Sequence, residues 1–208
     1  MDPDRAAADQ PPRAPLIRSF AALVLAALNL RPALTSLGPV LVDAMRDTGM
    51  DTAMAGVLTT VPVLCLGVFG VLAPRLAARF GMERTVCAML LVLAAGLALR
   101  GLGSVPALLA SAVVAGAGIG VAGVLLPGLV KRDFPGRASL TVGVYTMALV
   151  GGASLAAGLT VPMAQALGGR WNLALAFWAV PSLIAALTWL PAARRRGGAG
   201  PGTGRVAG

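Results

Sequence analysis

Arg31 stands near the middle of the apolar stretch 19–42, and of all the residues in this chain its position has the most chemical consequence. An arginine at the centre of a membrane helix costs roughly 2.5–3.5 kcal/mol on insertion scales, so such a residue normally faces a protein interior or a watery cavity. Its helical neighbours are small and polar. Thr35 follows at four positions and Gly38 at seven, making one stripe, with Asn29 and Ser36 alongside. Pro32 comes next in the chain and removes a backbone N–H, which predicts a kink and a freed carbonyl at this depth. Asp43, Asp47, Asp51, Glu83 and Asp133 all fall at the ends of apolar runs or between them, so no internal carboxylate is at hand to neutralise the arginine. What remains is a fixed positive charge suited to recognising an anion. The competing reading is structural, with Arg31 capping carbonyls or pairing with a neighbouring helix to hold a bundle together.

Other polar groups inside apolar runs are Thr59 and Thr60 beside Pro62, and Thr141, Tyr145, Thr146 and Ser154. Thr60 and Tyr145 join Asn29, Arg31 and Thr35 as candidates to line a solute cavity. Serine and threonine hydroxyls often bond back to their own helix, and the sole tyrosine, Tyr145, fits an interfacial anchor equally well. Catalysis finds no constellation. The chain has no histidine, no cysteine pair at metal-ligand spacing, no carboxylate pair within an apolar run and no serine with a plausible base, so neither an enzyme nor a metal or cofactor site is expected. Cys65 and Cys87 read as small packing residues.

The elements that must position these residues follow from composition: 57% of residues are hydrophobic and 12% charged, which no soluble domain matches. Cut at its charges, the chain yields six candidate spans, at about 19–42, 53–74, 83–102, 105–130, 138–166 and 171–191, within an all-helical membrane domain at 16–193. The third run is short and reaches spanning length if Met82, Gly101 and Leu102, or Arg100 snorkelling at its end, extend it. Residues 1–15 read as a flexible tail and 194–208, rich in glycine, as linker-like. Basic residues set the orientation. Arg5, Arg13, Arg18, Arg75, Arg79, Arg84, Lys131, Arg132, Arg137, Arg194, Arg195, Arg196 and Arg205 lie on one side, against only Arg46, Arg100 and Arg170 on the other. Both termini are therefore expected in the cytoplasm. The net charge of +9 is then accounted for by topology and anionic lipid, leaving no nucleic-acid partner to invoke. The first apolar segment has basic residues before it but no convincing small-x-small cleavage site, so it reads as a permanent span rather than a secretory signal.

Gly118-Ile119-Gly120-Val121-Ala122-Gly123 formally matches a dinucleotide-binding fingerprint. Its setting inside a long apolar run, with no strand before it and no acidic residue about 20 positions later, rejects that reading. Gly116 and Gly120 also form GxxxG, so Gly116, Gly120 and Gly123 are expected to make a smooth helix-packing face, with direct solute contact through bared backbone as the alternative.

Three runs resemble a known family: NLRPALTSLGP at 29–39, GVLTTVPVLC at 56–65 and LLPGLVKRDFP at 125–135 look like the cyanate and nitroimidazole transporter branch of the major facilitator superfamily. The resemblance covers about 18–191. The segment PRLAARFGMER at 74–84 is similar to the superfamily's signature loop between helices 2 and 3, but Pro74 stands in place of the usual Gly and Ala78 in place of the usual Asp. The charge-relay gating attributed to that Asp is therefore not carried over. Arg79 and Arg84 either help close the cytoplasmic side against Asp133, with Lys131 and Arg132 beside it, or only fix topology. Gly123 occupies a position often polar in relatives. The resemblance implies two halves of six helices, each an inverted 3+3 repeat, with solute bound between them and access alternating by rocking. This chain then supplies the N-terminal half, in a bacterial inner membrane. It would move a small anionic or polar solute such as a cyanate-like compound, with a C-terminal half or a second copy as partner. The alternative is a non-transporting scaffold or an inactive truncated half.

Overall fold

The computed structural model describes residues 13–134, 136 and 138–195, and among them every regular element is helical. A backbone crossing hydrocarbon must satisfy its own N–H and C=O groups, which selects helices for runs this apolar. Six segments are long and apolar enough to cross a membrane: Arg18–Thr48, Thr52–Gly70, Met82–Leu102, Val105–Asp133, Ser139–Ala166 and Trp171–Arg194.

The first segment is broken. It runs as α1 (Arg13–Leu30), turns at Arg31, resumes as α2 (Pro32–Thr35), tightens into a 3-10 turn at Gly38–Val40 and finishes as α3 (Leu41–Thr48). The second is α4 (Thr52–Gly70), whose first turn is capped by the Asp51 carboxylate accepting from Met54 N at 2.8 Å. After the short α5 (Ala73–Phe80) come α6 (Met82–Leu99) with its 3-10 extension Arg100–Leu102, α7 (Val105–Asp133), α8 (Ala138–Ala166), and α9 (Trp171–Phe177) continued by α10 (Ala179–Arg195).

Several boundaries differ from the sequence expectation. The second helix stops at Gly70 rather than 74, because Pro74 is compatible only with the first turn of a new helix and so opens α5. Gly81, between α5 and α6, holds φ 88° and ψ 148°, a conformation essentially reserved for glycine, and this lets two helices meet at the corner. Residues 13–15 of the expected tail are helical, and 194 and 195 close α10; the rest of both expected tails lies outside the described residues.

Packing centres on α7. It lies along α4 on one side and α6 on the other; α6 packs on α10, α10 on α1, and α1 on α8. Exchanging the first three spans for the last three maps this set of neighbours onto itself, the pattern of a 3+3 repeat. Because three crossings are odd, the second triplet starts from the opposite side, so the repeat is inverted. Small residues make the closest approaches. A Cβ on Gly116 would sit 2.9 Å from the Pro62 carbonyl oxygen, one on Gly120 2.9 Å from that of Leu66, and one on Gly118 2.9 Å from that of Met89. Alternate glycines of α7 thus face α4 and α6, where van der Waals contact must replace a hydrophobic drive that lipid cannot supply. Gly123 departs from the expected packing face: a Cβ there meets nothing within 4 Å. Outward faces are apolar, with Val63 and Val68 of α4, Met147 and Val150 of α8, and Ile184 and Leu187 of α10 all exposed.

Candidate solute-binding site

The kink expected at Pro32 is present and has a specific partner. Pro32 has no N–H to return to the Leu28 carbonyl, and α8 brings Gly152 against that oxygen so closely that a Cβ would collide with it. The Arg31 carbonyl at the break accepts from Leu34 N at 2.9 Å, Thr35 N at 3.1 Å and Thr35 Oγ1 at 3.1 Å. With the backbone occupied in this way, the Arg31 side chain is exposed, and no described carboxylate forms an ion pair with it.

Tyr145 of α8 is buried to 7% exposure. Thr35 Oγ1 also reaches Ala153 O at 3.3 Å, so Arg31 and Thr35 stand where α1 and α2 meet α8, the helix that carries Tyr145. The other two candidates do not join them. Asn29 is 4% exposed, donates to Leu25 O at 2.7 Å and accepts from Ser182 Oγ of α10 at 3.4 Å. Two residues from Arg31 is about 200° around a helix, which turns Asn29 into the bundle while Arg31 turns out. Ser36, expected beside Arg31, is likewise fully buried. Thr60 is exposed on α4 with its hydroxyl donated to Gly56 O at 2.8 Å, the back-bonding habit of threonine in apolar helices.

The buried cation of this chain is a different residue. Arg100, expected to snorkel from the end of the third span, is only 3% exposed and points into the protein. Its Nε donates to Ser111 Oγ at 2.9 Å, one terminal nitrogen to Ser36 Oγ at 3.1 Å and the other to Ala33 O at 2.6 Å. These bonds join the 3-10 turn at Arg100–Leu102 to α7 and to the broken first span. Its signal in the sequence was indirect: two serines, Ser36 and Ser111, stand in apolar runs near the depth an arginine at position 100 can reach.

At the opposite end, the expected closure of Arg79 and Arg84 on Asp133 does not form. Asp133 is taken by its neighbour Arg132, whose Nε lies 2.7 Å away, and Arg132 also bridges to Glu83 of α6, a side chain 9% exposed. Arg84 Nε instead donates to Ala193 O of α10 at 3.0 Å, and the Arg79 guanidinium sits 5.3 Å from the Phe80 ring centroid. Lys131 is exposed, and Arg137 lies outside the described residues. Glu83, not singled out from the sequence, is thus the carboxylate that links α6 to α7. No group of histidine, cysteine and carboxylate side chains able to hold a metal occurs among the described residues.

Six apolar spans in two exchangeable triplets, with an exposed arginine at a break in the first, define an all-helical polytopic membrane protein of transporter architecture. The chain belongs to the major facilitator superfamily: residues 21–206 match the profile of the Major Facilitator Superfamily. It is similar to the uncharacterized transporter YycB of Bacillus subtilis (37% identity, 84% of this chain and 43% of that one). It is also similar to two Escherichia coli proteins: the 2-nitroimidazole transporter (38% identity, 90% and 47%) and the cyanate transport protein CynX (37%, 80% and 44%). The chain spans about half the length of the curated relatives it matches. Its fold is also similar to a crystal structure of a mutant of the peptide transporter POT in complex with sulfate, with a TM-score of 0.73, 22% identity and coverage of 87% of this chain and 39% of that one.

Proposed function

We propose that this chain forms the N-terminal six-helix half of a secondary transporter that moves a small anionic or polar solute by alternating access. The observation that carries the reading is Arg31: an exposed guanidinium at a proline break in the first span, beside Thr35, with no described carboxylate to neutralise it. A charge left outward at that depth is useful where a second six-helix unit closes over it and a solute supplies the counter-charge. That unit is a C-terminal half or a second copy. The similarity to the cyanate and 2-nitroimidazole transporters supports cyanate as the first solute to try. The distribution of basic residues supports cytoplasmic ends, and a bacterial inner membrane is part of the same proposal.

Uptake of labelled cyanate by cells producing the chain together with a C-terminal six-helix half tests the reading. Arg31→Ala should abolish uptake, and Arg31→Lys should restore part of it, because a point charge replaces a planar fork. Uptake unchanged in Arg31→Ala sinks the anion-site assignment; no uptake by the unaltered protein favours the non-transporting scaffold.

A further inference from the structure

Arg100 is buried with three neutral partners and no counter-charge. The described ion pairs lie elsewhere, at Arg46 with Asp43 and at Arg132 with Glu83 and Asp133. A guanidinium has five N–H donors, and the bonds to Ser111, Ser36 and Ala33 use three, leaving one on each terminal nitrogen. Neutral oxygens orient the group but leave its charge uncompensated, which is the expensive state for a buried ion.

The same side chain lines a cavity of about 390 Å³, far more space than one water needs. Leu58, Pro62, Leu108 and Ala112 form buried apolar walls, while Thr59 and Ala157 on the lining are exposed and mark where the cavity opens. From this arrangement we infer that the Arg100 cavity is a binding site for a small monovalent anion, built within this six-helix unit, with Arg100 rather than Arg31 as its cation although Thr35 of the Arg31 stripe also lines it. One fixed cation compensates one negative charge. Apolar walls also disfavour strongly hydrated or divalent anions, whose lost water they cannot replace. Ser36, Ser111 and Ala33 hold the guanidinium so that its two remaining N–H groups are available to that anion.

Chloride is the probe. The protein in lipid nanodiscs is melted in sodium chloride, sodium gluconate or sodium sulfate at matched ionic strength. The unaltered protein should show a saturable rise in Tm with chloride alone. Arg100→Gln should lose that rise and Arg31→Gln should keep it. Thr59→Leu, at an exposed lining position, leaves the guanidinium in place but narrows the opening and should weaken the response, which covers the case in which Arg100→Gln fails to fold. The inference is overturned by equal Tm in chloride and gluconate, by a chloride response that survives Arg100→Gln, by one undiminished in Thr59→Leu, or by one lost only in Arg31→Gln. The inference does not depend on Arg31 binding solute: a response kept in Arg31→Gln stands even where the cyanate uptake test fails.

Discussion

Gly116, Gly120 and Gly123 of α7 should respond differently to the same substitution, although the sequence groups them on one packing face. An alanine at 116 places its Cβ 2.8 Å from Cys65 Cβ and 2.9 Å from the Pro62 oxygen, and one at 120 places it 2.9 Å from the Leu66 oxygen. Most of these neighbours are backbone atoms of α4, which cannot rotate away, so the two helices must separate by a few tenths of an ångström. Overpacking of this kind costs about 1–3 kcal/mol. Alanine is intrinsically better than glycine in a helix by roughly 0.5–1 kcal/mol, which offsets part of that cost. The net expectation is a loss of about 0.5–2 kcal/mol for Gly116→Ala and for Gly120→Ala. The double variant should lose less than their sum, because one displacement of α4 relieves both contacts. At Gly123, where a Cβ meets nothing within 4 Å, the helix term stands alone and Gly123→Ala should be neutral or stabilising by up to about 1 kcal/mol. Equilibrium unfolding in detergent micelles, followed by tryptophan fluorescence, measures all four variants. A Gly123→Ala loss as large as that of Gly116→Ala would refute the reasoning, since the motif rather than the α4 contact would then set the cost.

Two further outcomes are expected. Arg132→Met leaves the Glu83 carboxylate, 9% exposed, without the arginine that bridges it to α7, whereas Asp133→Asn leaves that bridge intact. Arg132 is itself about one-third exposed, so the loss should be reduced from the several kcal/mol of a fully buried pair to about 1–3 kcal/mol, with Asp133→Asn costing less; equal thermal shifts would contradict the Glu83 bridge. In a variant with Cys65 and Cys87 replaced, a cysteine at Gly168 should react with an impermeant maleimide added outside intact cells, while one at Gly136 should react only after permeabilisation; the reverse pattern would overturn the orientation read from the basic residues.

The architecture was largely legible because hydrocarbon leaves a chain few options. Run length and charge placement located six spans, and the proline after Arg31 announced the break that the structure contains. The candidate site was legible in part. Thr35 stays at the Arg31 break and reaches α8, but Asn29 turns inward, because helical rotation denies it the place in the stripe that nearness in sequence suggested. Of the two readings of Arg79 and Arg84, closure against Asp133 does not form, because Asp133 finds a nearer cation in Arg132. Sequence spacing says which charges could meet, and competition among neighbours decides which do.

Arg31 and Arg100 show best where the division falls. Membrane insertion, six crossings and the two signed ends depend on properties that add along the chain, residue by residue, so the sequence alone determined them. Burial of a charge does not add along a chain. Arg100 stands at the edge of an apolar run, yet it is the one held inside, because Ser36, Ser111 and the Ala33 carbonyl converge on it from two other spans. Arg31 stands at the centre of its run, yet its side chain is exposed, because the turn before Pro32 and the approach of Gly152 to Leu28 direct it away from the bundle. The partners of Arg100 lie 11, 64 and 67 residues away in sequence and within 3.1 Å in space, a distance that only the packing of α7 and the broken first span against the third could set.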